Sequence, residues 1–442
     1  MSKQNTYVTL DIGTTSVRVM IGEMTNGSLN VIGMGEAPSI GIKKGAIVDI
    51  DDTVQSIRQA VEKAERMINS KINNVVVGVT GNHLELQPCH GVVAVSSDDS
   101  EINDEDINRV IDAAQVISIP QEREIVNIIP QQFIVDGRDE ISDPRGMLGV
   151  RLEMEGMIVT GAKTMLRNLL RCVEKAGLDI AEIALQPLAA GTAALSKDEK
   201  NLGVALVDLG GGSTTVSVFE GGTLRGTSQI QVGGDHIAND ISVGFRTSKE
   251  EAEKIKLEYG YAFIPEASEQ ETFSVAKIGS DQPENRNQLE LANIIEPRTE
   301  EIFEMVAKEI QRLGFNDLPG GFVFTGGTAK MPGILELAND MFNQNIRVAV
   351  PDYIGVREPY YMNSLGLIKF THQHMRIQGE DVFAELTPAD EPRNHRQPPK
   401  KREKQKPREE TYKSRETTAP QANREKGQMK KKVSNMFKTF FE

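Results

Sequence analysis

A chain of 442 residues, 38% of them hydrophobic, is long enough to bury the cores of more than one domain. Its net charge of −14 is unevenly spread, because 16 Lys/Arg and 7 Asp/Glu follow residue 390 and leave −23 on the preceding residues. The acidic body excludes nucleic acid as its partner, and no apolar run approaches the ~20 residues of a membrane-spanning helix.

The first predicted elements are two strands around a glycine turn. An apolar run at 7–10 leads into Asp11-Ile12-Gly13-Thr14-Thr15-Ser16, and a second strand-like run follows at 17–21. A capping segment at 51–53 and apolar residues at helical spacing then predict a helix to residue 68. Residues 75–80 have the composition of a buried strand.

The pattern changes between residues 84 and 162. A helix is predicted there at 104–115, and strands at 125–135 and 157–162. Two helices follow, the first at 164–176 with Gly177 as its stop, and the second at 188–195 with Pro187 at its start. Cys89 and Cys172 occur in no CxxC pattern, which favours buried thiols over a disulfide.

A second glycine turn repeats the first. Asp208-Leu209-Gly210-Gly211-Gly212-Ser213-Thr214 lies between strand-like runs at 204–207 and 216–219. Glycines let backbone N–H groups approach phosphate oxygens, hydroxyls add donors, and the carboxylate suits a hydrated Mg²⁺. One such turn is more often an ordinary hairpin. Two copies in the same context predict a duplicated clamp for a polyphosphate.

The rest of the body continues as alternating helices and strands. Helices are predicted at 249–259 and 298–313, and the strand at 322–325 ends in Gly326-Gly327-Thr328. A further helix begins near residue 333, and the ordered body is expected to end near residue 385.

The C-terminal region has two parts. Residues 388–428 are rich in Pro, Gln and charged residues and predict a disordered linker. Residues 429–442 predict an amphipathic helix of ~21 Å, too short to cross a ~30 Å membrane core. We expect it to lie in an anionic membrane interface, and the alternative is docking on a protein partner or on the body itself. Its apolar face and its lysines are Met429, Val433, Met436, Phe437, Phe440, Phe441, Lys430, Lys431, Lys432 and Lys438.

The two turns and the glycines at 326–327 resemble the phosphate and adenosine loops of the actin/Hsp70/sugar-kinase ATPase superfamily. Residues 186–191 resemble its first connecting helix, and residues 361–366 its second. Within the superfamily, the chain resembles the FtsA family of bacterial cell-division proteins over essentially its whole length. The stretches that carry this resemblance are 45–49, 252–260, 296–298, the segment 84–162 and the amphipathic end.

The resemblance implies an α/β, actin-like duplicated ATPase fold with two lobes around a nucleotide cleft, a relocated insert subdomain, a disordered linker and a C-terminal amphipathic helix. The implied divisions are the first-lobe core at 1–83, 163–195 and about 366–385, the insert subdomain at 84–162, the second-lobe core at 196–235 and 310–365, the upper subdomain at 236–309, the linker at 388–428, and the membrane-targeting helix at 429–442.

The resemblance also implies ATP and Mg²⁺ as cofactors, with Asp11 and Asp208 holding the metal through water. Gln186 and Asp208 would be the catalytic pair, with Gln186 orienting the attacking water. Since glutamine is no strong base, hydrolysis would be slow at most; the alternative is that Gln186 only caps the helix at Pro187. The implied nucleotide contacts are Gly13, Thr14, Thr15, Gly210, Gly211, Gly212, Ser213, Gly234, Glu253, Lys256, Gly326, Gly327 and Thr328.

The function implied by the resemblance is that of an adaptor at the cytoplasmic face of the membrane. It would polymerise like actin, tie filaments of the tubulin-like FtsZ to anionic lipid at the division site, and recruit later division proteins. Arg298 is the candidate contact for the acidic FtsZ tail, and the alternative is an ordinary surface arginine at the start of a helix. The alternatives are an actin-like component of a pilus or secretion assembly, a small-molecule kinase, and an Hsp70-like chaperone.

Overall fold

The computed structural model of the chain describes residues 5–25, 27–80, 84–97, 99–280, 282–378 and 383–388. Apart from Pro388, the predicted linker and the predicted amphipathic helix lie outside the described residues.

The first lobe begins with three long antiparallel strands, a helix and short strands. These are β1 (Asn5–Ile12), β2 (Ser16–Thr25), β3 (Ser28–Pro38), β4 (Ile42–Lys43), β5 (Ala46–Ile47), α1 (Ile50–Ile68), β6 (Ser70–Ile72) and β7 (Asn74–Val79). Because β1 lies between β2 and β7 in the sheet, seven of its eight residues are buried. Helix α1 packs on β3 so closely that a Cβ on Gly35 would lie 2.0 Å from Ala60 O.

The next segment forms a sheet of its own. It contains β8 (Glu85–Ala94), α2 (Asp104–Ala114), β9 (Arg123–Val135), β10 (Arg138–Ile141) and β11 (Arg151–Ala162), with the strands in the order β10-β9-β11-β8. All pairings in this sheet are antiparallel. Helix α2 covers one face, and Phe133, Leu152 and Met154 lie in a hydrophobic cluster separate from that of the first lobe.

The chain then returns to the first lobe before it enters the second. It forms α3 (Lys163–Lys175), β12 (Asp179–Leu185), α4 (Gln186–Ala194) and α5 (Lys197–Leu202). Strand β12 pairs in parallel with β7, which completes the sheet order β12-β7-β1-β2-β3.

The second lobe repeats the strand arrangement of the first. Its elements are β13 (Val204–Leu209), β14 (Thr214–Glu220), β15 (Thr223–Ile230), α6 (Gly234–Phe245), α7 (Lys249–Tyr259), β16 (Thr272–Val275), β17 (Glu284–Asn287), α8 (Gln288–Arg312), β18 (Phe322–Thr325), α9 (Ile334–Phe342) and β19 (Ile346–Val348), with 3₁₀ turns at Ile264–Glu266, Thr328–Lys330 and Pro359–Tyr361. The sheet order of this lobe, β15-β14-β13-β18-β19, again joins an antiparallel meander to parallel strands. The chain then returns to the first lobe with α10 (Met362–Gln378) and β20 (Leu386–Pro388).

Helices α4 and α10 cross where both have small residues. A Cβ on Gly366 would lie 2.1 Å from Ala189 O, so only glycine permits this approach. Beyond α10, β20 pairs with β6, which fixes residues 386–388 to the edge of the first lobe.

Some predicted elements differ from the observed ones. The helix predicted at 298–313 begins ten residues earlier, at Gln288, because Asn287 and Glu290 form a capping box and Pro297 is accommodated in the interior. The strand predicted at 157–162 begins at Arg151, because residues 151–156 continue the pairing of this central strand with β8 and β9. Helix α6 was missed because its glycines and polar residues are poor helix formers. The predicted buried, unpaired cysteines are confirmed.

Candidate functional site

Two turns of the same geometry face each other between the lobes. Loop 1 (residues 11–16) joins β1 to β2, and loop 2 (residues 208–213) joins β13 to β14. In loop 1, Gly13 N donates to Ser16 O at 3.0 Å; in loop 2, Gly210 N donates to Ser213 O at 3.1 Å. The same backbone turn has formed twice.

The two loops touch each other. A Cβ built on Gly211 would lie 1.9 Å from Thr15 Oγ1, and one built on Gly212 would lie 2.4 Å from Thr14 Cγ2. No side chain fits at either position, so the approach of the loops requires glycine. Backbone N–H groups and hydroxyls are donors suited to phosphate oxygens.

A cavity of about 680 Å³ lies beside the loops, within the usual size range of small-molecule sites. Gly234, a predicted nucleotide contact, does not line this cavity. Its N–H donates to Gly210 O, and its carbonyl accepts a hydrogen bond from Lys256 Nζ, both at 3.0 Å. The predicted site residues that line the cavity are Asp11, Gly13, Thr14, Thr15, Gln186, Asp208, Gly210, Gly211, Gly212, Ser213, Glu253, Lys256, Gly326, Gly327 and Thr328.

The carboxylates of Asp11 and Asp208 lie close enough to affect each other. Burial raises the pKa of Asp11 to about 6; the charge of Arg18 opposes this rise and the charge of Asp208 adds to it. Burial also raises the pKa of Asp208, against a hydrogen bond from Asn363 Nδ2 at 2.9 Å. Folding therefore disfavours the charged form of both groups, and a nearby cation would restore it.

This donor set fits a hydrated Mg²⁺, which binds through one or two carboxylates together with waters and phosphates. Among the described residues, no group of three or more His, Cys, Asp or Glu side chains forms a fuller metal cage. Asp11 and Asp208 are the residues that would hold the ion.

Gln186 is the first residue of α4, and its side chain points at loop 1. Its Nε2 donates to Asp11 Oδ1 at 2.5 Å, and the side chain is buried. The helix N-cap is Leu185, and no side-chain capping bond is formed. The alternative that Gln186 only caps the helix is therefore wrong.

The side of the cavity formed by the second lobe is built from an ion pair and two glycine-rich turns. Lys256 Nζ lies 2.6 Å from Glu253 Oε2, and Thr328 Oγ1 donates to Gly210 O at 3.1 Å. Gly326 has φ +91°, and a Cβ there would lie 2.3 Å from Asp208 Oδ1. Any other residue at 326 would displace the Asp208 carboxylate.

Sequence reasoning missed several residues that line the cavity. Arg18 lies opposite Asp11 in the β1–β2 pairing; its Nη2 is 3.0 Å from Glu36 Oε1, and its guanidinium lies 4.8 Å from the Tyr360 ring centroid. The register of the predicted hairpin was the signal for Arg18. Asn363 gave no such signal, since it meets Asp208 only through the packing of α10.

Arg298 lies on α8, and intramolecular acidic partners hold its guanidinium. Its Nε is 2.5 Å from Asp240 Oδ2, and Glu301 pairs with its Nη1. Its side chain is 28% exposed, so an incoming carboxylate would have to exchange with these partners. The partner role of Arg298 stays a prediction.

None of the helices in the described part of the chain has both the length and the apolar content to cross a bilayer.

The duplicated lobes and the cleft between them define an actin-like ATPase fold, which confirms the predicted fold class. The solved PilM–PilN type IV pilus biogenesis complex matches with a TM-score of 0.57 at 15% identity, covering 82% of this chain and 97% of the other. MreB5 of Spiroplasma citri bound to ADP matches with a TM-score of 0.50 at 14% identity, covering 85% and 98%. At these identities the likeness concerns the fold alone.

Sequence comparison then identifies the family. One family model, described as cell division protein FtsA, matches residues 205–366, and another, the SHS2 domain inserted in FtsA, matches residues 81–160. Cell division protein FtsA of Bacillus subtilis (strain 168) is 58% identical over 382 residues, 86% of this chain and 87% of that protein. FtsA of Enterococcus faecalis is 45% identical over 373 residues, 84% and 85%. The chain belongs to the FtsA family and is an actin-like cell-division protein.

Proposed function

We propose that the chain binds ATP with Mg²⁺ in the cleft, polymerises like actin, and ties FtsZ filaments to the membrane during septum formation. The observation that carries the nucleotide part is the meeting of loops 1 and 2 beside two buried carboxylates. The MreB5 structure, of the same fold, contains ADP, which supports a nucleotide in this cleft.

In this proposal the glycine turns cradle the β- and γ-phosphates, and Glu253 and Lys256 contact the ribose and base. Gly326–Thr328 would close over the base. When bound, Mg²⁺ would neutralise phosphate charge between Asp11 and Asp208. The Gln186 amide holds Asp11 in place and orients water without accepting a proton, so the chain is at most a slow ATPase.

The membrane part of the proposal rests on the sequence of 429–442. Six large apolar residues on one predicted helical face and four lysines around it match an interfacial helix. One copy of so short a helix binds reversibly, whereas a row of copies on a filament binds much more tightly through effective concentration. ATP-linked polymerisation would then strengthen membrane attachment at the division site.

Vesicle sedimentation of the full chain and of a chain ending at Gln428 tests the tether. We expect only the full chain to pellet, with a preference for anionic lipid and a gain on addition of ATP. Phe437→Glu should abolish vesicle binding, because it places a charge on the apolar face. Asn435→Glu adds the same charge off that face and should weaken binding less.

Two results would contradict the tether. Equal pelleting of the full and the shortened chain would place the membrane contact elsewhere. Loss of ATP binding together with vesicle binding in Phe437→Glu would show that the predicted helix docks on the body.

The FtsZ part of the proposal assigns the acidic tail of FtsZ to the surface of residues 236–309, with Arg298 as a contact. Arg298→Glu should weaken the binding of a peptide of that tail roughly tenfold, by replacing an attractive charge with a repulsive one. Fluorescence anisotropy of the labelled peptide measures this, with Arg312→Glu as a control toward the end of the same helix. Unchanged peptide affinity in Arg298→Glu would exclude this residue.

Recruitment of later division proteins is assigned to the 84–162 subdomain. The pilus-assembly alternative has only a likeness of fold in its favour, and the kinase alternative gains no support from the comparisons. Family membership favours cell division over both.

A further inference from the structure

The hairpin formed by β4 and β5 has no role in the function proposed so far. Its two-residue turn is Lys44-Gly45, with φ of +52° and +74°, as in the tight turns that join twisted strands. Gly45 lines the same cavity as loops 1 and 2. The turn therefore lies at the candidate phosphate site itself.

On the first-lobe side, the turn contacts a hydroxyl of loop 1. Gly45 N donates to Thr14 Oγ1 at 3.1 Å. A hydroxyl that accepts this bond keeps its own hydrogen for donation. Within the described residues, the Thr14 hydroxyl donates to no protein acceptor.

On the second-lobe side, the same arrangement recurs with Gln229. Its Nε2 donates to Ser213 Oγ of loop 2 at 2.6 Å, which leaves the Ser213 hydroxyl hydrogen free. Gln229 lies on β15 opposite Thr215 and also lines the cavity. Its buried Oε1 has no hydrogen-bond partner among the residues that the structure describes.

These two contacts meet each other across the lobes. A Cβ on Gly45 would lie 3.1 Å from Gln229 Nε2, so the turn and the amide are neighbours. Each holds one hydroxyl as an acceptor, and the two hydroxyls come from opposite lobes. Opening of the lobes would separate Gly45 from Gln229.

We propose that the Lys44-Gly45 turn and Gln229 form a positioning element that aims the Thr14 and Ser213 hydroxyls at the terminal phosphate of a nucleoside triphosphate when the lobes are closed. This inference rests on the proposed function, because it requires a nucleotide between loops 1 and 2. The element should favour triphosphate over diphosphate, because the two hydroxyls are aimed at the γ-phosphate, which a diphosphate lacks.

The test is calorimetric binding of Mg²⁺ with ATP, and of Mg²⁺ with ADP, to the full chain and to Gln229→Met, which keeps the length of the side chain and removes its donor. We expect a roughly tenfold loss of ATP affinity, the size of one hydrogen bond to a charged acceptor, and less than a threefold loss for ADP. Gln229→Glu should lose more ATP affinity, because its carboxylate accepts the Ser213 hydrogen and turns it from the phosphate. Gln311→Met, an exposed position on α8, is the matched control.

A double-mutant cycle separates positioning from general packing. In a Ser213→Ala background, Gln229→Met should have no further effect on ATP affinity. The element is overturned if Gln229→Met or Gln229→Glu binds ATP like the parent, if ATP and ADP lose equally, or if the loss persists in the Ser213→Ala background. Failure of the parent chain to bind ATP would overturn the proposed function as well.

Discussion

Loops 1 and 2 have the same backbone turn but different electrostatic surroundings. Each carboxylate accepts a hydrogen bond from an amide near the start of a connecting helix: Asp11 from Gln186 on α4, and Asp208 from Asn363 on α10. Both lobes therefore contain the same three parts: the glycine turn, the carboxylate and the amide that donates to that carboxylate. The repeated parts are those that we propose to cradle phosphate and hold a cation.

The surroundings differ because only the first lobe supplies charged neighbours from its own hairpin. The charges of Arg18 on β2 and Glu36 on β3 shift the pKa of Asp11, whereas the charge that acts on Asp208 is again that of Arg18, from the first lobe. The pKa of Asp11 rises to about 6, partly through the charge of Asp208 itself. Loop 1 therefore contains the carboxylate whose pKa depends on charged neighbours from its own lobe.

The largest expected effect comes from removing either carboxylate. Asp11→Asn and Asp208→Asn should each lower the affinity for ATP in the presence of Mg²⁺, on the order of a thousandfold, because the cation loses a charged ligand. Without Mg²⁺, the affinity for ATP should change much less or improve. Calorimetric titration with and without Mg²⁺ measures both, and equal losses in the two conditions would contradict a shared metal site.

The second-largest expected effect is a dependence of the unfolding free energy on pH that comes from Asp11 in loop 1. The pKa of Asp11 is about 6 in the folded chain and 3.8 without perturbation, so the folded state binds the proton more tightly. The contribution of protonated Asp11 to stability is fully present below about pH 4 and is lost as the pH rises through 6. Relative to Asp11→Asn, the nucleotide-free parent should lose up to about 3 kcal/mol of unfolding free energy between pH 4 and pH 7.

Urea unfolding of parent and variant across this pH range measures the difference. Magnesium and ATP should reverse the trend, since the bound cation favours the charged carboxylate. A parent-minus-variant difference that stays constant with pH would refute the raised pKa of Asp11.

The comparison also explains what the sequence could predict. The turns are contiguous in sequence, so Asp11, Gly13 and Gly210 were recognisable from residue type and spacing alone. The amide partners are remote: Gln186 is 175 residues from Asp11, and Asn363 is 155 residues from Asp208. Gln186 was found through resemblance, and Asn363 was missed because only the crossing of α4 and α10 brings it to loop 2.

The prediction of helices was limited in the same way, by packing between residues that are far apart in the sequence. Strongly periodic helices such as α1, which ends at Ile68 as predicted, were recognisable because local spacing determines them. Helix α6 has weak propensity and forms because Ile237, Ile241 and Phe245 are buried in the second-lobe core. Packing between distant residues therefore determines the elements, such as α6, that the local sequence pattern did not predict.

The smallest expected effect concerns the side-chain amides of Gln186 and Asn363. They occupy equivalent places in the two lobes, but only Gln186 has a proposed role in hydrolysis. Gln186→Ala should slow the hydrolysis of bound ATP roughly tenfold, because the attacking water loses its positioning group. It should also lower the affinity for ATP with Mg²⁺ a few-fold, because the amide holds Asp11. Asn363→Ala should lower the affinity for ATP with Mg²⁺ a few-fold and leave the single-turnover rate of bound ATP unchanged, because it only holds Asp208. Single-turnover phosphate release and titration separate the two. Hydrolysis by Gln186→Ala at the parental rate would remove its catalytic role, and matching defects in both variants would show that each amide only holds its carboxylate.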